Sequence, residues 1–584
     1  MRRWLWMLAV SAVGALAAGG CTGASSNAAS FAEGSAGGAG APAANTSTAS
    51  SSGAASNGAG GAASLPPEVK EESSFQSPVA TGKIVWIANP SSGRVAYIDA
   101  TTFAVKTVEA GNGPTYLAAI PDPNDDVALV LNVLSGDATL LRVQQGNLVT
   151  ATFPSTADAN ALAISQSGRW AIAWTNTAQI TNPDPTQGFE QAVVLDLSSA
   201  TDAGVGARPP TSVTLGFRPV QVAFDEPNES HAFAVSEDGI VVIDLLDGAQ
   251  PTPTANYPLQ AVADADAGAA DALSADDSGD AANAGDSSSA DGNSTSTTGT
   301  ASGAPDVSFT PDGSYALVRQ DGIQSITVVA LADGTTTTVP LPALPTDLTL
   351  SPAGDFAVAV LRDTSTVVVL PIPGIVSDPS SVTTTAIAGE TIGRAIVTAQ
   401  GKTALLFTTA APVERMTVLT FAPTPTYRTI ALHAPVLAVF PTADAQNAIV
   451  LHDITPSNGV EGAFSIVPIA SSLPANIVSL PAPPTAVALA PSSDRALVSM
   501  RDDTAQNYGV YLARMPSLQT ISYVLASPPI AVGIVAGADT GYIAQDYSEG
   551  RITFVDLEED GGAGGVRTIT GFELGARIVE GSSP

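Results

Sequence analysis

Leu348-Thr-Leu-Ser-Pro-Ala-Gly354 is the stretch that decides the fold, because the chain repeats it: three apolar-leaning residues, then a turn of small residues closed by glycine. Close kin are Val307-Ser-Phe-Thr-Pro-Asp-Gly313, Leu162-Ala-Ile-Ser-Gln-Ser-Gly168 and Val487-Ala-Leu-Ala-Pro-Ser-Ser493. The first apolar residue of each phrase falls at Leu117, Leu162, Val222, Val307, Leu348, Ala395, Leu437, Val487 and Val532, in steps of 45, 60, 85, 41, 47, 42, 50 and 45. A period near 45 is that of one four-stranded blade, so the spacing predicts an all-β protein, a β-propeller of four-stranded antiparallel blades.

Each repeat carries four beats. The phrase itself is a first strand running into a turn, where Pro and Gly supply the backbone angles of a tight reversal. A second apolar strand follows, as in Phe356-Ala-Val-Ala-Val-Leu361. The third is β-branched and ends in a carboxylate: Val95-Ala-Tyr-Ile-Asp99, Val193-Val-Leu-Asp196, Ile240-Val-Val-Ile-Asp244 and Ile552-Thr-Phe-Val-Asp556. That Asp is placed to accept backbone N–H groups just beyond it and fix the turn into an outer strand. The fourth is Thr-rich and polar, as in Thr335-Thr-Thr-Thr-Val339, which suits the wet rim of a ring.

Val85-Trp-Ile-Ala-Asn89, followed by Ser-Ser-Gly-Arg-Val-Ala-Tyr-Ile-Asp99, then Ala104-Val-Lys-Thr-Val108 and Gly113-Pro114, resembles the YVTN family of β-propeller repeats. Ala173-Trp-Thr-Asn176 and Val130-Leu-Asn132 are weaker echoes, and the naming tetrapeptide itself never occurs. The resemblance covers roughly residues 84 to 580 and implies a scaffold of the bacterial or archaeal cell envelope, with fold and compartment better defined than activity.

The ends complement each other. Residues 84 to 110 supply second, third and fourth strands, whereas Gly575-Ala-Arg-Ile-Val-Glu-Gly581 reads as a first strand with nothing after it. A terminus that completes the other terminus's blade removes an exposed edge. The expectation is about ten modules (eight to ten) in one ring closed by the C-terminal strand, with two smaller rings as the alternative.

Ahead of the repeats stands an address. Met1-Arg-Arg3, an apolar run from Trp4 to Ala18, and Ala18-Gly-Gly-Cys21 resemble a bacterial lipoprotein signal, making residues 1–21 the signal and Cys21 the lipid-attachment residue. Cys21 is also the chain's one cysteine, which excludes a disulfide and any cysteine metal site elsewhere. The threonine after it points to the outer membrane. Residues 22–82 are poor in bulky apolar side chains and read as a disordered tether, spanning roughly 43 Å root-mean-square as a flexible coil. Residues 83–584 form the propeller domain, interrupted at about 262–303 by an insertion within the outer part of one blade. The insertion carries eight aspartates amid Ala, Ser and Gly, and its charge predicts disorder. Asp264-Ala-Asp266-Ala-Gly268 begins like a calcium loop, but Ala275 stands where its late glutamate belongs.

Charge narrows the partners. With 22 basic and 55 acidic residues the net charge is −33, which repels phosphate backbones and argues against nucleic acid. Catalytic signals are thin. His231, His433 and His452 lie in three different repeats, and no haem-attachment, nucleophile-elbow or phosphate-loop motif occurs. His452-Asp453 reads as a structural or surface pair, and Asp122-Pro-Asn-Asp-Asp126 as a turn rather than a metal site. No catalytic, cofactor or metal residue is assigned and no cofactor is expected. The reading is a monomeric, lipid-anchored binding or interaction module of the envelope, held to the membrane through its anchor and facing a protein or other envelope ligand. The alternative is a metal-dependent propeller hydrolase of the lactonase type, whose carboxylates and amides would cluster at the channel without a local motif.

Overall fold

The computed structural model describes residues 29–30, 66–68 and 78–572, apart from 181–183, 185, 199–208, 247–249, 260–304, 423, 456–458, 516 and 559–564. Ten four-stranded antiparallel sheets follow one another along the chain, at 79–109, 114–154, 161–214, 221–258, 306–340, 347–386, 394–431, 436–480, 484–524 and 529–570, which we number blades 1 to 10. In each, consecutive strands a, b, c and d pair as neighbours from the channel outward; blade 6 runs Asp347–Leu350, Phe356–Leu361, Thr366–Pro371 and Thr383–Ala386. The pair Ala29–Ser30 adds to the channel edge of blade 9, opposite Val487 and Ala486.

Strands b and c are apolar along their whole length because both their faces meet a neighbouring blade and neither meets water. Ile84–Asn89, Trp170–Trp174 and Phe356–Leu361 are almost wholly buried. Strand d faces solvent, so Val105–Glu109 and Thr383–Ala386 are polar and exposed.

Ten apolar clusters fill the ten gaps between blades. Two of them decide the ring. Phe233, Ile240, Phe309 and Val329 join blade 4 to blade 5 across the long connection, so the chain does not split there. Val85, Ile98, Tyr542 and Phe554 join blade 10 to blade 1, which closes a single ring of ten. The alternative of two smaller rings falls with these two clusters.

The repeated phrase owes its constancy to one turn. At the end of strand a, Ser165, Thr310 and Thr442 each take a backbone N–H five residues on into the side-chain oxygen, from Trp170 at 3.1 Å, Tyr315 at 2.9 Å and Asn447 at 3.1 Å. The residue three beyond lies in the left-handed region, as at Gly313 (φ 67°) and Gly354 (φ 72°), which glycine tolerates best. At the end of strand c the expected carboxylate turn is present in blades 1, 3, 4 and 10, whereas strand c ends in Gln144, Ala330, Pro371, Thr420, Pro468 and Arg514 in the other six. Asp99 accepts the N–H groups of Thr101 and Thr102, each at 2.8 Å, and Asp556 accepts that of Glu558 at 2.8 Å.

Two positions differ from the sequence expectation. Strand a of blade 1 is Val79–Ala80, paired with Trp86 and Val85, in the place assigned to Gly575–Gly581; residues 573–584 lie outside those described. A two-residue strand between Pro78 and Gly82 is too short to carry a period, which is why residues 22–82 read as tether throughout. The acidic insertion falls between strand d of blade 4 (Thr252–Pro258) and strand a of blade 5 (Asp306–Phe309), in the link between blades rather than inside one. Its residues, like Cys21, lie outside those described.

Candidate functional site

An antiparallel meander puts the a–b and c–d turns at one end of every blade and the b–c turn, with the link to the next blade, at the other. The ring therefore has two faces. The linking face carries the most developed polar site among the described residues, where blades 6 and 7 receive a segment of the chain's own N-terminal region.

Glu68 is the residue received, its side chain 2 % exposed. One carboxylate oxygen, Oε1, accepts Arg362 Nη1 at 3.0 Å and Thr408 Oγ1 at 2.8 Å. The other, Oε2, accepts the Thr409 backbone N–H at 2.7 Å and Thr409 Oγ1 at 2.9 Å. Arg362 Nη1 also donates to the Pro66 carbonyl at 2.9 Å. All the donors belong to the blades: Arg362 just past strand b of blade 6, Thr408 and Thr409 just past strand b of blade 7 (Thr403–Phe407). Gly393, in the link between these blades, leaves the space: a Cβ there would overlap the Glu68 carboxylate. Pro66 and Pro67 remain exposed.

This arrangement holds a carboxylate as a carboxylate. An oxygen pair facing a guanidinium, two hydroxyls and a backbone N–H is met by charge-assisted bonds, the stronger kind, and a buried unpaired charge would otherwise be costly. Sequence reasoning missed it. Residues 22–82 read only as a tether, and Arg362, Thr408 and Thr409 come together only when two consecutive b–c turns are brought side by side.

The three histidines stay apart. His452 ends strand b of blade 8 and is buried, with Nδ1 facing the Pro435 carbonyl at 3.0 Å and Nε2 facing Ser465 Oγ at 2.7 Å. The carbonyl can only accept, so Nδ1 carries the proton and the Ser465 hydroxyl donates to Nε2. Burial lowers the imidazole pKa to about 4, leaving it neutral. Ser465 is fully buried, so this pair is a core contact and not a nucleophile with its base. His433 is exposed in the link between blades 7 and 8.

His231 has a more suggestive setting. Asp225 and Ser230 both approach its Nδ1, at 3.4 Å and 3.0 Å, and Ser230 Oγ donates to Asp225 at 2.6 Å. A catalytic triad needs the hydroxyl and the carboxylate on opposite ring nitrogens; here both stand on the same one. Asp225 is instead the blade 4 counterpart of Ser165 and Thr310, accepting the His231 backbone N–H at 2.7 Å in the a–b turn. In the same turn Glu229 reaches blade 3, accepting Ser165 Oγ at 2.9 Å and the Ser167 backbone N–H at 2.5 Å. Burial, and then the charge of Glu229, hold the Glu226 carboxyl above its ordinary range.

Asp122–Asp126 is a turn, as its sequence suggests. Asp122 caps Asn124 and Asp125 at 2.9 and 3.0 Å, Arg142 ties Asp122 and Asp125 at 3.1 and 3.2 Å, and Asp126 accepts Thr81 Oγ1 at 2.6 Å. Among the described residues no group of three or more His, Cys, Asp or Glu is arranged to hold a metal ion. None of the described helices is long and apolar enough to cross a membrane. A shallow cleft of about 370 Å³ lies between blades 2 and 3, lined by Thr156, Thr175, Phe189, Glu190 and Gln191 among others.

No protein-family model matches the chain, and no curated protein does. Among solved structures it is similar to the dihydro-heme d1 dehydrogenase NirN in complex with DHE, at 14% identity over 78% of this chain and 76% of that one, TM-score 0.42. It is similar also to Kuenenia stuttgartiensis hydrazine synthase, at 16% identity over 58% and 93%, TM-score 0.30, and to apo AztD from Citrobacter koseri, at 12% over 63% and 88%, TM-score 0.33. Likeness at this level says nothing about the chemistry of this chain.

Proposed function

We propose that the protein is an exported, lipid-anchored β-propeller that acts as a binding platform of the cell envelope, with Cys21 as its lipid attachment and the linking face of the ring as its working surface. The observation that carries this reading is the seat on blades 6 and 7. There the ring binds an extended Pro-Pro-Glu segment through side-chain and backbone donors supplied by its turns. Turns held on rigid blades are the usual place for recognition, and a propeller offers many of them on one plane. The YVTN-like phrase at Val85–Asp99 and the lipoprotein-like leader at residues 1–21 support the compartment.

The test has two arms. Cys21→Ser should move the protein from the membrane fraction to the soluble fraction, and unchanged fractionation refutes the anchor. Crosslinking in intact cells should capture a specific partner, while purified protein supplied with calcium, zinc or magnesium should not turn over lactones or phosphoesters. Metal-dependent turnover lost on a single carboxylate substitution would replace the platform with the hydrolase reading.

A further inference from the structure

We infer that the seat formed by Arg362, Thr408, Thr409 and Gly393 is a receptor for the glutamyl side chain of a peptide, occupied in cis by Glu68, and that a partner's acidic peptide binds by taking Glu68's place. The inference rests on the platform reading and names the ligand of that surface.

Three features lead to it. Every donor to the carboxylate comes from the blades and none from the segment that carries Glu68, so the seat is built without its occupant. The donors fill both carboxylate oxygens, two to each, and Arg362 reads the Pro66 carbonyl two residues earlier, so side chain and backbone are recognised together. Gly393 leaves room for a carboxylate where any side chain would intrude. Arg362, Thr408 and Thr409, from two neighbouring blades, converge on this one carboxylate. Such a set of converging donors selects an anion of carboxylate shape.

The chain carries a net charge of −33, which makes this seat selective. General attraction works against an acidic peptide, and long-range steering would disfavour it. Binding must therefore come from the local bonds, and a ligand must also displace a tethered competitor whose effective concentration is set by its linker, in the mM range for short flexible ones. Withdrawal of Glu68 should strengthen binding in trans by the same factor that the tethered side chain had weakened it.

The experiment uses the full chain and a fluorescent peptide of its own residues 64–70, Ser-Leu-Pro-Pro-Glu-Val-Lys, read by anisotropy. Glu68→Ala should bind this peptide at least about tenfold more tightly than the unaltered chain does. In the Glu68→Ala background, a peptide with Gln for Glu should bind at least about tenfold more weakly, and Arg362→Ala should abolish the preference. Urea unfolding checks that each variant is folded, and Glu68→Gln, which keeps the shape and loses the charge, replaces Glu68→Ala if the latter does not fold. Equal binding by the unaltered chain and the Glu68 variant, or no binding by either, overturns the receptor and leaves a structural clamp. Glutarate displacing the peptide at the peptide's own concentration assigns the seat to free carboxylates and overturns the peptide part. A cellular partner captured equally by the unaltered chain and by Arg362→Ala keeps the platform but removes the seat from it.

Discussion

Phe554 in strand c of blade 10 (Arg551–Asp556) and Phe103 in the c–d turn of blade 1 meet edge to face, their ring centroids 5.3 Å apart and their planes at 66°. They are 451 positions apart in the chain and touch only because the ring closes. Phe554 is 1 % exposed, so Phe554→Ala removes a whole buried ring and should cost about 3–5 kcal/mol. Phe103 is half-buried, with the Arg567 guanidinium 4.5 Å from its ring centroid, and its replacement by Ala should cost about 1 kcal/mol. The pair itself is worth about 0.5–1.5 kcal/mol beyond the area each buries. The double variant should therefore fall short of the summed single losses by that amount. Urea unfolding measures this, provided the slope with denaturant stays constant across the four proteins. Phe233, on the blade 4 side of a different gap, is the control: Phe103→Ala with Phe233→Ala should add without coupling. A Phe103–Phe554 coupling within about 0.3 kcal/mol of zero would refute the closure.

Three further outcomes are expected. Gly354→Ala should destabilise by at least about 1–2 kcal/mol, since φ is 72° and a Cβ would lie 2.6 Å from Pro311 Cδ; Gly389→Ala, at φ 80° in open space, should show only the backbone part, and equal losses would contradict the packing argument. His452 has a folded pKa of about 4, below its unfolded value, so the unfolded chain binds the extra proton as pH falls below about 6.5; stability should drop by roughly 3 kcal/mol from there to pH 4, and His452→Gln should lack that increment in a pH series of urea midpoints. Excising residues 263–302 should leave the urea midpoint nearly unchanged, because closing a loop depends only weakly on its length; loss of cooperative unfolding would show that the insertion takes part in the fold.

The ring was legible in the sequence because its parts are local. In several blades the turn after strand a carries a hydroxyl with a left-handed residue three positions on, and in blades 1, 3, 4 and 10 strand c ends in an Asp, so Thr310, Gly313, Asp99 and Asp556 announce themselves. Burial on both faces makes strands b and c continuous apolar runs, which sharpens the period further. What lacked a local signature was lost. Val79–Ala80 is a strand only because Trp86 and Val85 lie beside it, and two residues carry no period. The seat was hidden for a similar reason. Glu68 and Thr409 are 341 positions apart, and nothing near Arg362 distinguishes an arginine that receives a carboxylate from one at the surface. A carboxylate-binding site assembled from consecutive b–c turns becomes visible only once the blades stand in order.

Particles viewed down the channel by electron cryomicroscopy put the central claim to its most direct test. The account expects a single closed annulus of ten blades, with the gap between the first and last blade filled like the other nine. An annulus of fewer blades, two separate rings, or a ring open beside blade 1 would contradict it.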